Sequence, residues 1–259
     1  MLSYQHAYHA GSAADLHKHM GLAALLALMT AKPRAISYME SHAGRGLYDL
    51  GAPEALKTGE AAGGIGRLVP GAGPFWQALG MVRARYGATA YPGSPLLARL
   101  MTRPQDRLHL CELHPAEHAA LSAVMAGEGV AIHRRDGHEG LIALAPPTPR
   151  RGLALIDPSY EVKDEYARTA RTALALLRRW PQGVVMIWYP ILPAGRHATD
   201  LVAPIEAAHL PGFLCHEAAF RTPPERGMTG SGLIFLNLPF GAEAALRAAW
   251  ADAAQVFAA

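Results

Sequence analysis

A doubly wound α/β fold built on a mostly parallel sheet is what this 259-residue sequence predicts, and three observations carry the prediction. The run Gly152-Leu-Ala-Leu-Ile156 is wholly apolar and is closed by Asp157-Pro158, the pattern of a strand buried on both faces of a parallel sheet. Further short apolar runs end in polar residues: Ala35 to Glu40, then Leu108 to Glu112, then Val130 to His133 with Asp136-Gly137 just beyond. Carboxylates therefore collect at one edge of the sheet, where ligands of open α/β folds bind. The last two strands, Phe213 to Ala219 and Ser231 to Leu238, are joined by residues 220–230, too few for a crossover helix, so that pair is antiparallel.

Composition agrees with a folded chain of one domain plus an insertion, or of two small domains. Apolar residues make up 51% and charged residues 17%, which excludes disorder. The net charge of +3 and a pI near 9.0 point only weakly to a polyanionic partner. The pairs Arg134-Arg135, Arg150-Arg151 and Arg178-Arg179 read as solvated helix ends and loops. Cys111 and Cys215 lie far apart in apolar runs, which suits buried thiols in a reducing compartment and no disulfide framework. The N-terminus lacks a signal-peptide pattern, and the longest apolar segment, Met20 to Met29, is too short for a bilayer, so a cytoplasmic location is expected.

Along the chain, the head to Ala14 carries Tyr4, His6, Tyr8 and His9 without a clear period. Asp15 is expected to cap a helix running to about Thr30, with Leu16, Met20, Ala23, Ala24 and Ala27 on one face and Lys32-Pro33 as its stop. His17 and His19 sit two apart on that helix and face different ways, which argues against a zinc site. After the first strand, Ser41-His42-Ala43-Gly44-Arg45-Gly46 is a glycine turn that lacks the third glycine of a dinucleotide fingerprint. Residues 48–92 are rich in Gly, Ala and Pro around a helix from Pro74 to Tyr86, and read as a small inserted helical subdomain. Tyr91-Pro92-Gly93-Ser94-Pro95 then turns into a helix to Met101. Glu112, at a strand end, suits acceptance from both ribose hydroxyls, or else it caps the helix that opens at Pro115. Helices near 116–125, 164–180 and 198–208 and a strand from Gly183 to Tyr189 complete the reading.

Chemistry centres on the end of the 152–156 strand. Asp157 offers a carboxylate, Pro158 an adjacent carbonyl and Tyr160 an aromatic face, which together match a flat ligand with an exocyclic NH2, such as a nucleobase. A plain Asp-Pro turn with a surface tyrosine is the competing account. Asp157-Pro158-Ser159-Tyr160 resembles the Asp-Pro-Pro-Tyr signature of S-adenosylmethionine-dependent methyltransferases that act on exocyclic amines. More widely, the chain resembles the bacterial RlmJ family, which methylates N6 of an adenine in 23S ribosomal RNA. That resemblance rests on the opening Met1 to Gly11, Asp15-Leu-His-Lys-His19, Ser41 to Gly44, Tyr91 to Pro95, Glu112 to Pro115, Asp136-Gly137, Arg151 to Tyr160, Trp188-Tyr-Pro190 and Arg226 to Thr229.

The resemblance implies a class I, Rossmann-like methyltransferase fold with a helical insertion. It also implies a pocket for S-adenosyl-L-methionine lined by His19, His42, Ser94, Glu112, Asp136, Gly137 and Asp157, with Tyr4, His6 and Lys18 closing the substrate side. Catalysis then falls to Asp157, Pro158 and Tyr160, with no metal, and a monomer is expected to suffice. The loop 221–230 is expected at the catalytic edge, with Arg221 and Arg226 on RNA phosphates. Ser159 departs from the family, whose second proline stiffens the turn. DNA adenine methylation, an RNA-binding protein that retains the fold without catalysis, and a nicotinamide-dependent oxidoreductase are the rival readings.

Overall fold

The computed structural model describes residues 5–162, 164–193, 195–223 and 227–258. Its centre is a seven-stranded sheet of β1 (Ser37–Glu40), β4 (Arg107–Cys111), β5 (Val130–His133), β6 (Gly152–Ile156), β7 (Val184–Ile191), β8 (Leu214–Ala219) and β9 (Gly230–Leu236). The order is β5-β4-β1-β6-β7-β9-β8, and only β9 runs against its neighbours. β2 (Leu47–Asp49) and β3 (Ala90–Pro92) form a separate antiparallel pair that ties together the two ends of the segment between them. That segment holds α2 (Pro53–Thr58), α3 (Glu60–Gly63) and α4 (Pro74–Tyr86), and Phe75, Trp76, Leu79 and Val82 of α4 join the main hydrophobic core.

α1 (Ala13–Thr30) is buried almost all round, because it packs against β9, α4, α5 (Ser94–Met101) and α10 (Ala242–Ala251). Its N-cap is Ser12, not Asp15: the Ser12 hydroxyl accepts the Asp15 N–H at 3.3 Å and the Asp15 carboxylate accepts the Gly11 N–H at 3.0 Å. This near-reciprocal arrangement satisfies two orphan donors at the helix start. The remaining helices are α6 (Pro115–Met125), α7 (Gly137–Leu144), α8 (Glu165–Arg179) and α9 (Ala203–Glu206). α7 was not foreseen; it contacts β1, β4 and β6 and lies beside α8. Where a helix was expected over 198–208, a π turn at Ala198–Val202 runs into the short α9. Cys111 is buried as expected, whereas Cys215 on edge strand β8 is half-exposed. Among the described residues no helix is long and apolar enough to cross a membrane.

Candidate active site

The parallel neighbours β1 and β6 form the topological switch point. From β1 the chain continues to β4 on one side, and from β6 to β7 on the other. The two strand ends are bonded together by the Asp157 N–H, which donates to Ser41 Oγ at 3.1 Å. Over this edge lies a cavity of about 240 Å³, lined from Asp136 and Gly137 beyond β5, through Glu112 and His42, to Asp157 and Trp188. The β8–β9 loop reaches the same edge, because Ala219 pairs with Gly230 and Gly230 with Ile191 at the end of β7; Met228 lines the cavity.

One end of the cavity is built by the first turns of α1. Lys18 Nζ lies 2.7 Å from Asp157 Oδ2 and 3.2 Å from Asp15 Oδ1. Burial pushes the Lys18 ammonium down, but the two carboxylates outweigh it and hold the group above its ordinary range. Burial likewise pushes Asp15 up, and His6, His19 and Lys18 together bring it well below the usual carboxylate value. His6 Nε2 is 3.0 Å from Asp15 Oδ2, and the His6 ring meets Tyr48 edge-on at 5.1 Å. Burial drives His19 down to about 3, so its ring is neutral at pH 7. Its Nδ1 lies 3.0 Å from the Tyr91 hydroxyl, while Nε2 is buried with no hydrogen-bond partner.

At the other end, carboxylates are held by the backbone. Glu112 accepts the Gly44 N–H at 2.8 Å through Oε2 and the His114 N–H at 2.7 Å through Oε1. Gly44 has φ +60°, and a Cβ there would sit 2.6 Å from the Tyr48 hydroxyl. Asp136 caps α7, accepting the Glu139 N–H at 3.1 Å and the Arg168 guanidinium at 2.8 Å. Gly137 permits a close approach, because a Cβ there would fall 1.9 Å from the Ser41 carbonyl oxygen. His42 Nδ1 is 2.8 Å from Ser41 Oγ, and burial with the adjacent His138 takes it down to about 4. Below the cavity, Glu40 is fully buried; Ser94 and Tyr38 donate their hydroxyls to it, and burial raises it to about 8.

The family model described as ribosomal RNA large subunit methyltransferase D, RlmJ, matches residues 33–258. The chain belongs to the RlmJ family. Ribosomal RNA large subunit methyltransferase J of Escherichia coli K12 is 35% identical over 258 residues, spanning 94% of this chain and 89% of the relative. The protein of the same name from Haemophilus influenzae is 35% identical over 95% of this chain and 91% of its own. A crystal structure of a Legionella pneumophila protein superposes with a TM-score of 0.80 at 30% identity, covering 95% and 94% of the two chains.

Against the RlmJ-derived expectations, the cavity brings together His6, Lys18, His19, His42, Ser94, Glu112, Asp136, Gly137, Asp157 and Pro158. Tyr160 is not among its lining residues. Its φ of +55° turns the ring inward, the hydroxyl donates to the Trp188 carbonyl at 2.8 Å, and the ring packs on Tyr166 at 4.6 Å. The aromatic wall is Trp188, with Lys18 Nζ 5.5 Å from the centre of its ring. Arg221 is engaged with the C-terminal segment: its guanidinium donates to the carbonyls of Phe257 at 3.2 Å and Ala254 at 3.3 Å. Tyr4 and Arg226 lie outside the described residues. Sequence reasoning missed Asp15, whose i,i+3 spacing to Lys18 was the available signal, and Trp188, which was noted only as part of a motif.

Proposed function

We propose that this chain transfers a methyl group from S-adenosyl-L-methionine to the exocyclic N6 amine of an adenine in 23S ribosomal RNA, in the cytoplasm and without a metal. The observation that carries this reading is that Asp157 and Pro158, at the end of β6, both line the cavity beside the buried Lys18; in this reading the carboxylate of one and the carbonyl of the other are the two acceptors. Lys18 occupies Asp157 Oδ2, which leaves Oδ1 to accept one amine hydrogen while the Pro158 carbonyl accepts the other. Drawing both hydrogens out of the base plane favours a pyramidal nitrogen, whose lone pair is then free to attack. Trp188 serves as the face against which the unstacked base lies, offsetting part of the cost of flipping it.

The residues fit the cofactor. The acceptor-rich wall of Glu112, Asp136 and Asp157 matches a cation that carries hydroxyl and amine donors, and the unpartnered His19 Nε2 offers one further polar contact. Glu112, already oriented by two backbone N–H groups, would take the ribose hydroxyls; His42, Asp136 and Gly137 would flank the nucleoside, with Ser94 and His19 lining the remainder. When bound, S-adenosylmethionine supplies an electrophilic methyl group on a sulfonium sulfur. Residues 48–92 act in this reading as an inserted helical subdomain of a single methyltransferase domain. The test is methyl transfer to unmodified 23S RNA transcribed in vitro, with the product mapped as N6-methyladenine. Transfer to duplex DNA in preference to RNA would overturn the substrate, and binding of NAD in place of S-adenosylmethionine would overturn the reaction.

A further inference from the structure

Charge in this molecule is divided between the two edges of the sheet in a way that the catalytic site does not use. The edge where β1, β4, β5, β6 and β7 begin is formed by residues 31–36, 99–107, 126–129, 145–151 and 178–183. These segments carry nine of the 24 Lys and Arg residues but only Asp106 and Glu128 of the 21 Asp and Glu. The rest of the chain is therefore net acidic, with 15 basic residues against 19 acidic ones. Around the cavity the cations are also committed: Lys18 to Asp15 and Asp157, Arg45 to Glu117, Arg168 to Asp136. At the opposite edge Arg103–Asp106 is the ion pair among the described residues.

The basic residues there are crowded together. Arg103 and Arg151 both donate to the carbonyl oxygen of Arg34, at 3.0 and 3.3 Å, so two guanidinium groups share one acceptor. Arg107 and Gly152 both pair with Ser37, which sets Arg107 and Arg151 on either side of β1. Burial, and then repulsion from Arg34 and Arg103, pull the Arg151 guanidinium below its ordinary value. Arg103 and Arg151 have a structural task, since they also cap the end of α1 through the Thr30 and Met29 carbonyls. Lys32, Arg34, Arg150 and Arg178 are exposed, and among the described residues no such bond accounts for their side chains. An excess of nine basic residues over two acidic ones at one edge is destabilising until an anion is bound.

We infer that this amino-edge pole is a second RNA-binding surface, which grips the phosphate backbone of a part of the substrate remote from the target adenine. The inference rests on the proposed RNA substrate. A five-residue strand spans about 17 Å, so the pole lies too far from Asp157 to touch the reacting nucleotide and contacts a separate stretch of the same RNA. It contributes affinity through counterion release and leaves base selection to the cavity.

The experiment combines Lys32→Glu, Arg34→Glu, Arg150→Glu and Arg178→Glu in one chain and measures binding of two RNAs across a salt series. One RNA is a short stem-loop carrying the target adenine; the other is the same stem-loop extended by a flanking duplex. Wild type is expected to bind the longer RNA at least tenfold more tightly and with the steeper salt dependence. The variant should lose that advantage and flatten the slope for the longer RNA by about 3 units, roughly 0.7 to 0.9 per phosphate contact. Its turnover of saturating short stem-loop should stay within twofold of wild type. An unchanged slope for the longer RNA would overturn the inference, as would wild type binding both RNAs equally or a polyglutamate chain binding at the pole in place of RNA. If the charge-reversed chain does not fold, the four Gln substitutions carry the same test. Asp157→Ala separates this inference from the proposed reaction, because it should lose methyl transfer yet keep the salt slope for the longer RNA.

Discussion

Asp157 and Glu40 stand at the ends of adjacent strands at the switch point and have opposite surroundings. Asp157 faces the cavity with a buried lysine at 2.7 Å, so its charge is compensated and available as an acceptor. Glu40, beneath it, has the Ser94 and Tyr38 hydroxyls as donors, and its burial, aided by the charge on Asp157, lifts it to about 8. Several carboxylates can thus share one site without self-repulsion. Charge is compensated by Lys18 at the cavity wall, and a proton is retained where a second charge would oppose the first.

Removing the carboxylate at the cavity wall should cost the most. Asp157→Ala should lower single-turnover methyl transfer by at least about 10⁴-fold, near 5 kcal/mol, while circular dichroism reports an intact fold. A variant within tenfold of wild type would mean that the Pro158 carbonyl alone suffices and that the contrast with Glu40 has no catalytic meaning. Next is the cation that makes the contrast possible. Lys18→Met leaves Asp15 and Asp157 without their shared partner in a buried setting, and a loss of about 3 to 5 kcal/mol in urea unfolding is expected. A loss below 1 kcal/mol would indicate that the His6 contact and the Gly11 N–H already balance Asp15.

Much of this arrangement was legible in the sequence, for identifiable reasons. The strand ends at Glu40, Glu112 and Asp157 could be read because a buried parallel strand must be apolar and must stop where the chain meets a polar edge. α7 was hidden because Gly137 and Gly140 weaken its helical pattern; Gly137 is there because the Ser41 carbonyl leaves no room for a side chain. Asp15 was legible as a helix-start residue but not as the partner of Lys18, since Ser12 supplies an equally good cap and only the fold brings Asp157 to the same lysine. Tyr160 was misjudged for a backbone reason: its left-handed φ turns the ring toward Tyr166, and Trp188 from the neighbouring strand takes the cavity wall. Arg221 was drawn away by the C-terminal carbonyls, whose position depends on how the chain end packs on β8.

Glu40 allows the contrast to be sharpened by pH. The folded chain keeps the Glu40 proton to about 8, whereas the unfolded carboxyl releases it near 4.5. Between those values the native state binds more protons than the unfolded one. The Glu40 contribution to stability is thus complete below about 4.5 and is lost as pH rises through 8. Glu40→Gln, a permanently neutral mimic, should remove a downward slope of up to about 1.4 kcal/mol per pH unit from the stability curve between pH 5 and 8. It should also leave methyl transfer within about fivefold of wild type. Superimposable pH–stability curves for the two proteins would place the Glu40 charge in the folded state and remove the contrast with Asp157.

A change at Ser159, where the chain leaves the Asp-Pro-Pro-Tyr pattern, should matter least. Ser159 lines the cavity between Pro158, whose carbonyl is the second proposed acceptor, and Tyr160, whose φ of +55° is strained for a residue with a side chain. A proline at 159 would disfavour the helical region for Pro158 and so hold its carbonyl outward. It would also narrow the unfolded ensemble. Ser159→Pro is therefore expected to stabilise the fold by about 0.4 to 1 kcal/mol, provided φ at 159 is near −65°, and to change kcat by less than tenfold. The Asp157 carboxylate is held by Lys18 and its backbone by Ser41, and neither hold passes through the side chain at 159. A fall in kcat beyond tenfold with unchanged stability would give the Ser159 hydroxyl or its N–H a part in holding the substrate. A fall in both would instead mean that the turn cannot accept the proline, and that the strain at Tyr160 depends on the freedom of the residue before it.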